Sequence, residues 1–150
     1  MVKEFLLIDA KDKIMGRLAS KVAKLALLGK QVIIINAKDI VISGSKKNIF
    51  EKYNQRKNIK TRTNPTRGPF FYRRPDRFFR RVIRGMLPFK QNRGQEAYRR
   101  IKVYTNDIDR SKFKNLVEHE VKDVSADRLN RNYITLETVS GRFGWKNFIE

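Results

Sequence analysis

Hydrophobic and polar positions along this chain switch repeatedly between two spacings. Residues 5–9, FLLID, form a short apolar run. GRLASKVAKLALLG follows, where Leu18, Val22 and Leu25 recur at steps of four and three with Ala19, Ala23 and Ala26 beside them. Arg17, Lys21 and Lys24 fall on the opposite side. This spacing predicts an amphipathic helix, which Gly29 is placed to end. Residues 31–36, QVIIIN, are a continuous β-branched run. A run that short suits a strand buried on both faces, as in a parallel sheet. SGSKKNIFEKYNQRK then predicts a second helix, capped by Ser43 or Ser45, with Ile49, Phe50 and Tyr53 facing inward.

The same pattern returns near the C-terminus. IKVYT (101–105) and YITLET (133–138) predict strands, and TLETVSGRFGW predicts a last short helix. Residues 106–125 are ambiguous in pattern; a loop with one amphipathic turn around Phe113, Leu116 and Val117 is one reading of them. Strands alternating with helices imply crossover connections over a mostly parallel sheet, the α/β class.

The stretch between these halves follows neither spacing at first. NPTRGPFFYRR carries Pro65, Gly68 and Pro69, which predicts an extended, irregular segment. Pro75 then stands where a first-turn proline is favoured, and Asp76 complements a helix N-terminus. From there DRFFRRVIRGML has helical spacing. Phe79, Val82, Ile83 and Met86 form one face, Arg77, Arg81 and Arg84 another, with Arg80 beside it. Pro88 ends this helix, and GQEAYRRI predicts one more short helix that presents Arg99 and Arg100.

Charge changes the picture most. The chain has 150 residues and a formal net charge of +20. Residues 56–102 hold twelve arginines and four lysines against Asp76 and Glu96, so +14 of that charge sits in one stretch. The flanks are close to ordinary in charge, and neither looks complete alone. The expected organisation is one domain, 1–150, with a basic insert at about 56–102. A body this basic repels itself unless it meets a polyanion. An arginine excess favours phosphate and base recognition, because the guanidinium fork matches phosphate oxygens and also stacks. A single exposed arginine is often only solvated surface, but a cluster with so little counter-charge is not explained that way. At helical spacing an aromatic is more often core than a stacking platform, so Phe79 is assigned to the interior. Phe70, Phe71 and Tyr72 remain open to either role.

Other chemistries find little support. The absence of cysteine excludes disulfides, thiolate nucleophiles and Cys-based zinc sites. No apolar run approaches the ~20 residues of a membrane span, and the N-terminal apolar segment is too short for a signal peptide. The apolar faces of the basic helices are narrow and are needed for the core, which argues against a membrane-surface protein. His119 is the sole histidine and lies in an acidic stretch, VEHEV. Asp9, Asp12 and Asp39 fall near predicted strand ends, where a metal-dependent nuclease would hold its cation, and this is the runner-up reading beside a free RNA-binding factor. ISGSKK lacks the G-x-x-x-x-G-K-[ST] spacing. A helix N-terminus with serine hydroxyls, Lys46 and Lys47 would still accept a backbone phosphate.

At this point the residues carry a resemblance. IDAKDKIMGRLAS, INAKDIVISGSK, RRPDRFFRRVIRGMLPFKQNRG and YITLETVSGRFGW occur in the order expected of the large-subunit ribosomal protein thirteen family. The chain resembles the archaeal and eukaryotic-cytosolic type, and RGMLP followed closely by RG is the most specific piece. Phe89 departs from a position where relatives often carry His, and Asn106-Asp107-Ile108 replaces a Gly-containing turn. The chain stops soon after GRFGW, without the helical extension typical of eukaryotic members, so an archaeal-type ribosome is expected. The resemblance implies a three-layer α/β/α fold with a small, mostly parallel four-stranded sheet and a basic extended insert. It also implies a structural constituent of the large ribosomal subunit, in the cytoplasm. Its partners would be large-subunit rRNA and neighbouring ribosomal proteins, with no enzyme activity, cofactor, metal, membrane or small-molecule substrate.

On both grounds the residues expected to meet RNA are Lys46, Lys47, Arg62, Arg67, Arg73, Arg74, Arg77, Arg80, Arg81, Arg84, Lys90, Arg93, Arg99 and Arg100. The 62–74 segment is expected to be an arm that RNA orders, since it has little apolar surface of its own to bury.

Overall fold

The computed structural model describes residues 4–113 and 115–146; the first residues of the N-terminal segment weighed above as a signal peptide lie outside that range. In chain order the elements are β1 (Phe5–Asp9), α1 (Met15–Leu27), β2 (Gln31–Ile35), β3 (Val41–Ser43), α2 (Lys46–Asn58), α3 (Pro75–Gly85), α4 (Asn92–Arg99), β4 (Ile101–Val103), β5 (Leu116–Glu118), β6 (Tyr133–Thr135) and α5 (Leu136–Arg142). The main sheet has four strands in the order β4-β2-β1-β5. All its pairings are parallel, and the central one runs in register from Phe5↔Gln31 to Asp9↔Ile35. The expected three-layer α/β fold is present.

The period of two along each strand decides which side chain enters which layer. Ile8, Val32 and Ile34 join the larger core, with Leu18 and Val22 of α1 and Phe79 and Ile83 of α3. Leu7, Ile33 and Ile35 point to the other face, where Phe5, Tyr104, Ile108, Phe113 and Leu116 cover them. Both faces are therefore dry, which is why β2 shows no polar alternation: Val32, Ile33 and Ile34 are all 0% exposed.

Local chemistry fixes the helix ends. α1 buries Leu18, Ala19, Val22, Ala23 and Ala26, and its small alanines let α3 and α4 pack against it. It stops at Gly29, whose φ of 89° suits glycine. The Gly29 and Lys30 amides donate back to Ala26 and Leu25 at 3.1 and 3.2 Å. Of the two candidate caps of α2, Ser45 serves: its hydroxyl accepts from the Asn48 amide at 3.4 Å. Ser43 belongs to β3. α3 begins at Pro75 with Asp76 in its first turn, as its sequence predicts.

Two expectations need correction, and one open region is now defined. The 106–125 region, ambiguous in sequence, supplies β5, the fourth strand of the main sheet. Three residues are too few to show a period, and Val117 and Glu118 are exposed at the sheet edge. The YITLET segment does not join that sheet. Tyr133–Thr135 pairs antiparallel with the unpredicted β3, through Val41↔Thr135, Ile42↔Ile134 and Ser43↔Tyr133, and Leu136 already begins α5. Met86 is not on the buried face of α3. The helix ends at Gly85, so the 3.6-residue period no longer governs Met86; it is 42% exposed while Leu87 takes the interior place.

The turn between α3 and α4 leaves no room for a side chain at Gly94. A Cβ there would lie 2.2 Å from the Pro88 carbonyl oxygen and 2.4 Å from its carbon. Both are backbone atoms and cannot rotate away. Gly94→Ala is expected to lower stability by about 1–3 kcal/mol, measured as a shift in the chemical-denaturation midpoint. An unchanged midpoint would show that the turn is looser than this packing implies.

Candidate nucleic-acid interface

α3 divides its residues between interior and surface. Phe78, Phe79 and Ile83 are buried. Arg77 and Arg81, four apart and so on one stripe, are exposed and have no acidic partner among the described residues. Arg62, Arg67, Arg73 and Arg99 share that condition. Lys46, Lys47, Lys90 and Arg93 are exposed too. Lys46 sits 5.7 Å from the Phe50 ring, and the Arg93 Nε donates to the Gln91 side chain at 3.0 Å.

The remaining expected contacts are engaged inside the protein. Arg74 forms a fork with Asp76, with Nε and Nη2 donating at 3.1 and 3.0 Å. Arg80 lies 4.4 Å over the Tyr98 ring and donates to the Tyr98 carbonyl at 3.4 Å. Its buried Nε has no hydrogen-bond partner among the described residues. Arg84 lies 3.8 Å over Phe89, and Phe89 meets Tyr98 edge-on at 5.4 Å. The departure at Phe89 therefore provides a ring on which a guanidinium stacks. Arg100 reaches the C-terminal end of α1, donating to the Ala26 carbonyl at 3.3 Å while pairing with Glu96 at 3.5 Å. That contact satisfies an end carbonyl and complements the helix dipole.

The irregular segment before α3 carries local hydrogen bonds of its own. Pro65–Arg67 makes a single 3-10 turn, capped by the Asn64 side chain accepting from the Thr66 amide at 3.1 Å. Gly68 is buried against Thr61, whose backbone N and Oγ1 would lie 3.2 Å from an added Cβ. The three aromatic residues left open by the sequence separate cleanly. Phe71 is half-buried and packs against Phe143 at 5.0 Å and Phe78 at 5.8 Å, with Tyr53 beside them. Phe70 and Tyr72 on either side of it are 69% and 39% exposed. Burial pushes the Tyr53 hydroxyl pKa up, against the opposing pull of Arg56, whose guanidinium lies 5.5 Å over the Tyr53 ring.

Two groups of cations escaped the sequence reading of the site. Arg56 meets Arg81 across an apolar pocket; Tyr53 and Arg56, three apart on α2, were the available signal. Lys146 and Trp145 share a cleft with Arg73 and Arg74, and nothing in the local pattern near the C-terminus pointed to them. Of the acidic residues weighed for a nuclease, Asp9 has a local structural role: its carboxylate accepts from the Lys11 amide at 2.9 Å and from the Asn36 side chain at 3.0 Å. Among the described residues no three His, Cys, Asp or Glu side chains converge on a possible metal site. No described helix is long and apolar enough to cross a membrane.

Comparison with known proteins gives the arrangement a context. The family model for ribosomal protein L13 matches residues 3–109. The chain is 44% identical over 142 residues to large ribosomal subunit protein uL13 of Methanococcoides burtonii, covering 93% of this chain and 97% of that one. It is 44% identical over 141 residues to the uL13 of Methanocaldococcus jannaschii, again covering 93% and 97%. Against the uL13 of Archaeoglobus fulgidus it is 36% identical over 145 residues, covering 95% and 90%.

Proposed function

The chain belongs to the ribosomal protein L13 family, and from that membership we propose that it binds and stabilises large-subunit rRNA through its Arg-rich stretch at about 56–102. The family is described as ribosomal protein L13 and the relatives are named as proteins of the large ribosomal subunit; for this chain that supports a structural role in the cytoplasmic ribosome and not an enzymatic one. One observation supports the finer reading most. Arg62, Arg67, Arg73, Arg77, Arg81 and Arg99 are all exposed without an acidic partner among the described residues, while Phe78 and Phe79 between them hold α3 to the core.

The mechanism follows from the ligand. Double-helical RNA hides its bases in a deep, narrow major groove, so contacts fall on phosphates, 2′-hydroxyls and junction shape. Exposed guanidiniums neutralise phosphates and release condensed counterions. Lys46, Lys47, Lys90 and Arg93 extend the same surface charge. Arg74, Arg80, Arg84 and Arg100 contribute with their protein contacts in place. The 62–74 arm enters between RNA helices, where a globular face would not fit.

Fractionation of cell extract on a sucrose gradient tests the assignment. The chain is expected to co-migrate with large subunits, and its 62–74 amides are expected to exchange more slowly there than in the free protein. A chain that stays at the top of the gradient is not a subunit constituent. Equal protection of 62–74 in both states would make it an ordinary packed loop.

A further inference from the structure

A pocket of about 290 Å³ opens between α2, α3 and the segment that joins them, at the small end of the ~300–1,000 Å³ range of ligand sites. Tyr53 and Phe71 line it from the aromatic cluster, Phe70 and Tyr72 line it from the exposed segment, and Arg56 and Arg81 stand at it with no carboxylate among the described residues opposite them. Exposed rings are costly to leave in water, and Phe70, 69% exposed, stands outside both apolar clusters. An apolar protein partner would be served as well by aliphatic side chains and would gain nothing from two unpaired cations. Flat rings beside guanidiniums instead match a base joined to its phosphate: stacking suits any base face, and arginine meets the backbone anion.

We propose that this pocket takes one unpaired nucleobase of rRNA, stacked on Phe70 or Tyr72, with a neighbouring phosphate held by Arg56 or Arg81. The inference rests on the rRNA-binding reading above and adds the site at which a base, and not only the backbone, is held. Phe71 positions the segment from beneath through its contacts with Phe78 and Phe143.

The test uses the full chain with two probes, an oligoadenylate single strand and a blunt RNA duplex. The paired change Phe70→Leu with Tyr72→Leu keeps apolar bulk and removes the ring faces. It is expected to weaken single-strand binding roughly 5- to 100-fold, leaving duplex affinity and both salt slopes unchanged. The pair Phe70→Tyr with Tyr72→Phe keeps the rings and is expected to bind like the native chain. In assembled subunits, short-wavelength ultraviolet light is expected to place a nucleotide adduct on residue 70 or 72. No loss, an equal loss on both probes, or a link from these residues to a protein overturns the pocket. Flat salt dependence on both probes overturns instead the rRNA-binding reading on which it rests.

Discussion

Phe79→Ala lowers the stability of the fold by about 3–5 kcal/mol, the cost of deleting a fully enclosed ring and leaving a cavity. Phe79 is 0% exposed and lies in the larger core with strands β1 and β2 and helix α1. Such a loss is a large part of the ~5–15 kcal/mol that stabilises a domain. Arg81→Ala, two residues along the same helix and exposed, is expected to change stability by less than about 0.5 kcal/mol and to weaken RNA binding. Denaturant titration of both variants, with binding measured in parallel, reads the two effects. A stable Phe79→Ala beside an unfolded Arg81→Ala would mean that the faces of α3 have been assigned the wrong way round.

The second large effect is on salt. Six exposed arginines lack an acidic partner among the described residues. If each neutralises one phosphate, the affinity for large-subunit RNA falls about a thousandfold between about 50 and 200 mM salt. The log–log slope would be roughly −4 to −5, and each arginine changed to alanine would make it shallower by about one. Titrations at several salt concentrations give the slope directly. A slope near zero would remove the electrostatic basis of the proposed function.

How much of this was legible in the sequence depended on segment length. β1, α1, β2 and α3 are long enough, or apolar enough, for their period to declare itself, and the basic stretch raised the expectation of a polyanion by charge alone. β3 and β5 did not: each is three residues long, and unlike the equally short β4 and β6 neither was recognised within a longer strand-like run. Their pairing partners lie far along the chain, Val41 with Thr135 and Phe5 with Leu116, so tertiary contact and not local propensity makes them strands. Within the basic stretch, the pattern separated Phe79 from Arg81 but not the arginines that are free from those that are engaged. Arg80 and Arg100 find Tyr98 and the Ala26 carbonyl only once α4 packs beside α1, and Arg84 finds Phe89 only where the chain turns after α3. Phe70, Phe71 and Tyr72 were undecidable for the same reason: the rings that select Phe71 for the interior come from Tyr53, Phe78 and Phe143.

The stacked pair of guanidiniums on α3 has a consequence for the thermodynamics of assembly. A free arginine side chain samples many rotamers, and immobilising one on binding costs about 0.5–1.5 kcal/mol. Arg80 and Arg84 are already held over Tyr98 and Phe89, so much of their conformational entropy is lost when the protein folds and not when it meets a ligand. They offer cations at fixed positions, whereas Arg77 and Arg81 on the same helix retain the freedom to follow an irregular backbone. One short helix thus combines a rigid half, suited to setting orientation, with an adaptable half, suited to filling in contacts once that orientation is set.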